Sequence, residues 1–261
     1  MSFLSDTYYL FIRALKKLVR NPILLFFSLF QPIIFLVLFT QLFSKFATTG
    51  LFPQGITYLE YATPGILLQN GFSSALQSGT SIVDEINSGM LQKMLVTPVN
   101  RSAILLGRLV SDAFRVVVQS SIILILAYAL GFNVAAGTGG IALILVIIAF
   151  FGLAWSGISL AIGLRTRSAE TVFGIGGFLT FPLLFMSTAL VPTNAMPDWM
   201  ASVSGVNPIS FAVNAVRDLS LPSTFVTGNL AGDIASSLIV IAIIAVVTLG
   251  ATLYLFRKVV K

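Results

Sequence analysis

The chain has 261 residues, of which 57% are hydrophobic and only 9% are charged. Soluble domains carry roughly 25% charged residues, so we expect the solvent of this chain to be largely lipid. It contains no Cys and no His, which excludes disulfides, His-ligated metals and His-based catalytic triads. The net charge of +6 comes from basic residues that flank hydrophobic segments, as membrane topology signals do. These features predict an all-α membrane protein that binds neither metal nor nucleic acid.

The N-terminal region, residues 1–22, predicts an amphipathic helix over residues 4–20. At 100° per residue its apolar side chains share one face and its charged side chains, Asp6 among them, share the other. Such a helix lies in the plane of the membrane interface, with its cations near anionic headgroups. Pro22 then ends the helix, because proline lacks the N–H that the helix needs.

Six hydrophobic segments follow within residues 23–256, and each is close to the roughly 20 residues that cross a bilayer as a helix. We place the spans at 23–43, 61–83, 105–130, 140–164, 171–191 and 234–256, and a short tail at 257–261. The fourth span carries small residues along one side, which predicts close packing against another helix: Gly152, Ser156, Ser159 and Gly163.

Two spans carry polar side chains at helical spacing. On the second span these are Asn70, Ser74, Gln77 and Ser81; they either form hydrogen bonds between helices or line a substrate path. The third span begins with an interfacial charge cluster of Arg108, Asp112 and Arg115. Asp112 is in reach of Arg108 at i−4 and Arg115 at i+3. The cluster is a set of structural ion pairs, or it has a role in gating or coupling.

The segment 84–108, between the second and third spans, is the longest polar interruption on its side of the protein. Its apolar residues fall at helical spacing, and Thr97-Pro98 ends the predicted helix. Charges here are costly in lipid, so the segment must lie in water or against a protein. We predict a short amphipathic helix that docks on a cytoplasmic partner; the alternative is a plain surface connector.

The segment 192–222 is too polar and too broken for a span, yet long for a loop. Its marked residues are Pro192, Pro197, Trp199, Asn207, Pro208 and Arg217. We predict a pair of short helices that re-enter the external face of the membrane, because backbone at membrane depth must be covered by protein or line a cavity. A simple interfacial helix is the alternative.

The basic residues predict the topology. With six spans both termini share one side, and of the 15 basic residues only Lys45 and Arg217 fall on the other side. This bias predicts cytoplasmic termini for a multi-pass membrane protein. We expect the membrane to be the cell membrane of a prokaryote. The sequence has no Gly-x-x-x-x-Gly-Lys-Ser/Thr phosphate loop, so we expect no ATP hydrolysis by that route.

Three sets of residues, in this order, resemble the ABC-2 type exporter permeases, particularly the daunorubicin-resistance-like branch. The first set is Glu85, Gly89, Leu91, Leu95, Thr97-Pro98, Arg101 and Gly107-Arg108. The second is Phe181-Pro182 with Pro192, Pro197 and Trp199, and the third is Asn207-Pro208 with Arg217. Asn87 stands where the family often has a basic residue. The resemblance covers essentially the whole chain.

The resemblance implies a non-enzymatic transport subunit that pairs with a second permease copy, identical or paralogous. Each copy binds a separate cytoplasmic ATPase, which holds the ATP and Mg; this chain itself needs no cofactor. The substrate is expected to be hydrophobic or amphipathic, drug-like or lipid-like. The implied ATPase-docking residues are Asp84, Glu85, Gly89, Met90, Leu91, Met94, Leu95, Pro98 and Arg101. The alternatives are an ion-gradient-coupled carrier working without an ATPase, and a non-transporting membrane anchor.

Overall fold

A computed structural model describes residues 3–20, 22–44, 55–97, 99–222 and 229–259. Three residues named above lie outside this described part: Lys45, Pro98 and the side chain of Arg101. Of the residues described, 85% are helical, and no strand occurs among them. The helices are α1 (Phe3–Val19), α2 (Pro22–Leu42), α3 (Tyr58–Asn87), α4 (Met90–Leu95), α5 (Arg101–Ala129), α6 (Gly137–Thr166), α7 (Ala169–Phe185), α8 (Asp198–Val206), α9 (Pro208–Ser220) and α10 (Leu230–Val259).

Each predicted span coincides with a helix, but the helices differ in how well they suit a bilayer. Three are long and apolar enough to cross it: Ser102–Ala129, Gly137–Thr166 and Leu230–Lys258. The apolar parts of α2 and α7 are shorter, at Phe26–Leu42 and Ala169–Phe185. Helix α3 has 30 residues but is polar along one side. The chain is therefore an α-helical protein with clear membrane-type helices.

The start of α3 and the end of α7 differ from the approximate span limits, and side chains explain both differences. Helix α3 begins about a turn before residue 61, because Thr57 and Glu60 form a reciprocal capping box at its N-terminus. Helix α7 ends at Phe185 instead of 191. Asn207 Nδ2 donates to the carbonyl oxygens of Leu183 at 2.7 Å and Met186 at 3.1 Å, which satisfies acceptors that the helix end leaves open.

Helices α3 and α6 form the centre of the bundle. A Cβ at Gly79 would lie 2.6 Å from Ser159 O, and a Cβ at Gly163 would lie 2.7 Å from Gly79 O. The two backbones thus approach at a distance that only glycine allows. The prediction that the small residues of the fourth span permit close packing is confirmed. Around this pair lie α2, α5, α7 and α10, with α9 packed against α3, α6 and α10 at one end.

Helix α1 packs on the first half of α5. A Cβ at Gly107 would come within 2.7 Å of Leu10 Cβ, and Phe11 meets Phe114 edge to face with ring centroids 5.8 Å apart. Asp6 was expected on the charged, outward face of α1, and this is wrong. It is buried and accepts a hydrogen bond from Asn100 N at 3.2 Å, because a carboxylate is favourable beside the N-terminus of α5.

The periodicity predicted one helix in the segment between α3 and α5, and the structure instead has a break there. Helix α3 continues through Asp84 and Glu85 to Asn87, and the separate helix α4 begins at Met90. Gly89 between them has φ +71° and ψ +6°, a left-handed conformation that glycine adopts without strain. The chain direction changes there, so α4 projects from the end of α3. We call this the basic end of the bundle, where α3, α6 and α10 finish and α5 and α7 begin.

Candidate functional site

An ion-pair cluster at the basic end joins three helices. Arg108 of α5 donates from Nη2 to Glu85 Oε2 of α3, and Arg13 Nη2 of α1 lies 3.7 Å from Glu85 Oε1. The Glu85 and Arg108 side chains are each only 12% exposed. Charges this enclosed need a partner, because an isolated buried charge is strongly unfavourable. Glu85 therefore fixes the relative positions of α1, α3 and α5.

A second polar cluster continues toward the middle of the bundle. Arg115 donates from Nη2 to Asp112 Oδ1 at 3.0 Å and from Nε to Ser74 Oγ at 2.9 Å. Ser78 donates to the other oxygen of Asp112, and Arg108 Nη1 donates to Ser78 O at 3.2 Å. The predicted pair of Asp112 with Arg115 is confirmed. The pair of Asp112 with Arg108 is wrong, because Glu85 faces Arg108 from the neighbouring helix.

The same line of polar contacts extends up α3 and α5. Asn70 Nδ2 donates to Ser120 Oγ at 3.1 Å, and Gln119 Nε2 donates to Ser28 Oγ of α2 at 2.6 Å. Asn70 and Ser74 thus make hydrogen bonds between helices, as the structural alternative for the polar stripe predicts. The other two members, Gln77 and Ser81, line a cavity.

This cavity has a volume of about 240 Å³ and lies between α1, α3 and α5. Its walls combine charged side chains with apolar ones from α1, α4 and α5. An open groove beside it shares Arg13, Asp84 and Glu85 with the cavity wall. The interfacial charge cluster and half of the polar stripe therefore border one partly open cavity at the basic end.

The predicted docking residues on α4 form two groups, one that packs against the bundle and one that is exposed. Leu91 is buried, and Met94 contacts Arg13 Nη1 through its sulfur, so both hold α4 against the bundle. Met90 is exposed, and Val96 just after the helix is 85% exposed. Isolated exposed apolar residues are common, but here they stand on a projecting helix beside exposed Gln92 and Lys93.

At the opposite end, α8 and α9 form the predicted pair of short helices. Pro192 is buried, whereas Pro197 and Trp199 are exposed, and Pro208 is the first residue of α9 after its Asn207 cap. Arg217 is buried: its Nη2 donates to Thr188 O at 2.6 Å and to Tyr61 O at 3.2 Å, and its Cζ lies 3.9 Å from the Tyr61 ring centroid. Arg217 therefore joins α9 to α3 and to the chain after α7.

Several partners of these residues were missed in the sequence. Arg13 was assigned only to the headgroup-facing side of α1, and Ser78 lies between two positions of the predicted stripe. Val96 was not included because it follows the last periodic apolar residue, Leu95. Among the features that were missed, only the N-terminal cap of α3 has a signal in the sequence, because Thr57-x-x-Glu60 has the capping-box spacing.

The sequence profile described as ABC-2 type transporter matches residues 5–221, which run from α1 to the end of α9. The chain belongs to the ABC-2 type transporter family. It is accordingly the membrane subunit of an ABC transporter and is not itself catalytic, and the ATPase is a separate subunit.

Three relatives of this ABC-2 permease illustrate the range of the family. A daunorubicin resistance ABC transporter permease protein, DrrB1, of Streptomyces coeruleorubidus is 32% identical over 79% of this chain and 72% of its own length. A putative transport permease, ycf38, of Cyanophora paradoxa is 29% identical over 99% of this chain and 90% of its own. A probable doxorubicin resistance permease, DrrC, of Mycobacterium tuberculosis is 24% identical over 80% of this chain and 74% of its own.

Proposed function

We propose that this ABC-2 permease exports a hydrophobic or amphipathic substrate, with energy from a cytoplasmic ATPase that docks on α4. The observation that supports docking is the projecting helix itself, with Leu91 turned inward and Met90 and Val96 turned outward. Exposed apolar side chains on a short element beside charged residues suit a protein partner better than lipid.

The same proposal includes six spans, with both termini in the cytoplasm. Charged side chains gather at the basic end, with Arg165 at the end of α6 and Arg257 at the end of α10, as the bias toward cytoplasmic basic residues requires. Large apolar side chains of α10 face outward, among them Val246 and Val247, which are 74% and 65% exposed. Lipid is the environment in which such a surface is stable. Helix α1 then lies at the interface.

The ion pairs provide a physical route from the docking helix to the spans. Leu91 packs α4 against the bundle, and Glu85 joins α3 to α5 and α1. A displacement of α4 by the ATPase therefore acts on α3 and α5 together, and the enclosed polar contacts resist their sliding apart. The helices α8 and α9 lie at the external exit, where Arg217 ties them to the far end of α3.

Membership of the ABC-2 family supports the partner and the substrate class in this proposal. A second permease copy, identical or paralogous, completes the transport path. Two relatives carry daunorubicin or doxorubicin resistance in their names, and we extend a drug-like or lipid-like substrate to this chain by analogy. The protein acts in a prokaryotic cell membrane.

The docking proposal is tested by co-purification of the permease with its cognate ATPase. A carboxylate at position 96 would be buried without a partner at the interface, so Val96→Glu should lower ATPase recovery about tenfold or more. Val206→Glu is the matched control, because Val206 is similarly exposed (77%) but lies on α8 at the opposite end. Equal ATPase recovery with both variants contradicts docking on α4.

An ion-gradient-coupled carrier is the alternative function, and a second experiment separates the two. The permease alone is reconstituted into liposomes that carry a proton or sodium gradient. Our proposal predicts no uptake until the ATPase and ATP are added. Gradient-driven uptake by the permease alone contradicts an ATP-driven exporter.

A further inference from the structure

The 240 Å³ cavity at the basic end is smaller than pockets that enclose a drug-sized molecule, which run to about 300–1,000 Å³. It is large enough for a polar headgroup. Its wall includes both charged side chains and the apolar Leu10, Leu15 and Ile104. A ligand that fits must therefore be small at its polar end and apolar next to it.

Most charges in the cavity wall already have partners. Arg115 is paired with Asp112 and Arg108 with Glu85. Asp84 is exposed and forms no ion pair within the described residues. The cavity therefore offers one carboxylate for a ligand cation.

The cavity also offers one cation, Arg13, whose existing contacts are weak. The Arg13 side chain is 42% exposed, and its Nη2 is 3.7 Å from the Glu85 carboxylate that Arg108 already holds. Among the described residues, the one hydrogen-bond partner of its Nη1 is the Met94 sulfur, a weak acceptor. A phosphate is a better partner for a guanidinium, because its oxygens accept two parallel charge-assisted hydrogen bonds.

The cavity wall also contains an uncharged residue with an unsatisfied hydrogen-bond acceptor. Gln77 lines the cavity, and its Oε1 is buried without a hydrogen-bond partner in the described structure. A buried acceptor of this kind favours a ligand with N–H donors, because leaving it unsatisfied costs free energy. A primary ammonium supplies such donors, whereas a quaternary ammonium has none.

We propose that the cavity between α1, α3 and α5 binds the phosphoethanolamine headgroup of a membrane phospholipid, with its phosphate at Arg13 and its ammonium at Asp84 and Gln77. This inference rests on the proposed function in one respect, the placement of α1 at the cytoplasmic interface, which brings the cavity to headgroup depth. The lipid enters by the open groove, whose wall shares Arg13 and Asp84 with the cavity. The bound lipid then bridges α1 and α3 beside the docking helix.

The test is native mass spectrometry of the full-length permease in detergent, titrated with three dioleoyl lipids and with inorganic phosphate. Phosphatidylethanolamine should bind about tenfold more tightly than phosphatidylcholine, which lacks the N–H donors, or than phosphatidylglycerol, which lacks the cation. Inorganic phosphate should not compete below millimolar concentration. Equal binding of the three lipids overturns the proposal, and competition by micromolar phosphate shows an anion site instead.

Variants at Asp84 test whether this carboxylate causes the preference for phosphatidylethanolamine. Asp84→Asn should make phosphatidylethanolamine and phosphatidylglycerol bind alike, because the partner of the ammonium charge is lost, and Asp84→Glu should keep the preference for phosphatidylethanolamine. Asp198→Asn is the control for charge, since Asp198 is an exposed carboxylate at the start of α8. A preference for phosphatidylethanolamine over phosphatidylglycerol that survives in Asp84→Asn overturns the assignment. No ATPase is present, so failure here leaves ATPase docking untouched, and failure of docking leaves lipid binding to be measured.

Discussion

At the scale of single residues, Glu85 decides how the basic end is held together. It accepts from Arg108 and lies near Arg13, so one carboxylate serves two guanidiniums on two other helices. Because Glu85 and Arg108 are mostly enclosed, neither charge is stable there without the other. Glu85 therefore acts within the chain, through internal ion pairs that hold α1, α3 and α5 in register, and in the proposed docking it supports α4 indirectly.

Removing this carboxylate should destabilise the permease strongly. Glu85→Leu leaves Arg108 without its carboxylate, and breaking a mostly buried pair costs about 3 kcal/mol. We expect a clearly lower midpoint of thermal unfolding in detergent, measured by the fluorescence of the two Trp residues.

The control is the double variant Glu85→Leu with Arg108→Leu, which removes both charges. It should recover much of the lost stability, because an apolar pair can replace a buried ion pair. A single variant as stable as the original chain would mean that the pair is solvated and does not hold the helices.

At the scale of elements, the short helix α4 depends on the turn at Gly89. The backbone there has φ +71°, and a Cβ on Gly89 would meet no atom within 4 Å. A side chain is therefore opposed by backbone strain alone, about 1–2 kcal/mol for an ordinary L-residue, while Asn tolerates this conformation better. The direction of α4 is set by glycine's freedom and not by packing at that residue.

Two substitutions at Gly89 test whether this direction matters for transport. We expect ATP-driven transport by the reconstituted permease–ATPase complex to fall in the order Gly89, Gly89→Asn, Gly89→Ala, with Ala several-fold below the original chain. Folded yield should stay the same, because the position is open. Full transport by Gly89→Ala would show that the angle of α4 is not part of coupling.

At the scale of the whole molecule, the close contact of α3 with α6 organises the bundle. Helix α3 is too polar to cross a membrane alone, and α6 covers it along its small-residue face. Gly79 against Ser159 and Gly163 against Gly79 O bring the backbones together. Dispersion and close packing, rather than the hydrophobic effect, hold such helices in lipid. The glycine face of α3 thus meets α6, while its polar stripe meets α5 on another side through Asn70 and Ser74.

The contact is tested by adding one methyl group at Gly79. Gly79→Ala places its Cβ 2.6 Å from Ser159 O, so the two helices must move apart, and overpacking of this kind costs about 1–3 kcal/mol. The yield of monodisperse permease on size exclusion should fall. Gly174→Ala is the control, because a Cβ there meets nothing within 4 Å; if both variants behave alike, the α3–α6 contact is not critical.

The positions of the helices could be predicted from the sequence, because long apolar runs and their periodicity determine them. The small-residue face of α6 and the pair of Asp112 with Arg115 were also readable, since each depends on spacing within one helix. The ion-pair partner of Arg108 could not be predicted from spacing within one helix. It depends on which residue of another helix faces it, and Glu85 is 23 positions away.

The break at Gly89 escaped the periodicity for a different reason. Apolar residues continue at helical spacing on both sides of it, so the pattern does not reveal a change of direction. The division of α4 into an inward and an outward group follows from that break. Consequently the segment proposed for docking, with Met90 in it, could be predicted from the sequence, while the exposure of Met90 and Val96 was seen only in the structure.

The most direct test of ATPase docking on α4 is the rate of maleimide labelling at position 96. The chain has no cysteine, so Val96→Cys introduces a single reporter, and Val206→Cys provides its counterpart at the other end. In membrane vesicles we expect Cys at 96 to label from the cytoplasmic side and to be protected about tenfold or more when the ATPase binds, with position 206 unaffected. Labelling of position 96 only from outside, or at the same rate with and without the ATPase, would contradict the account.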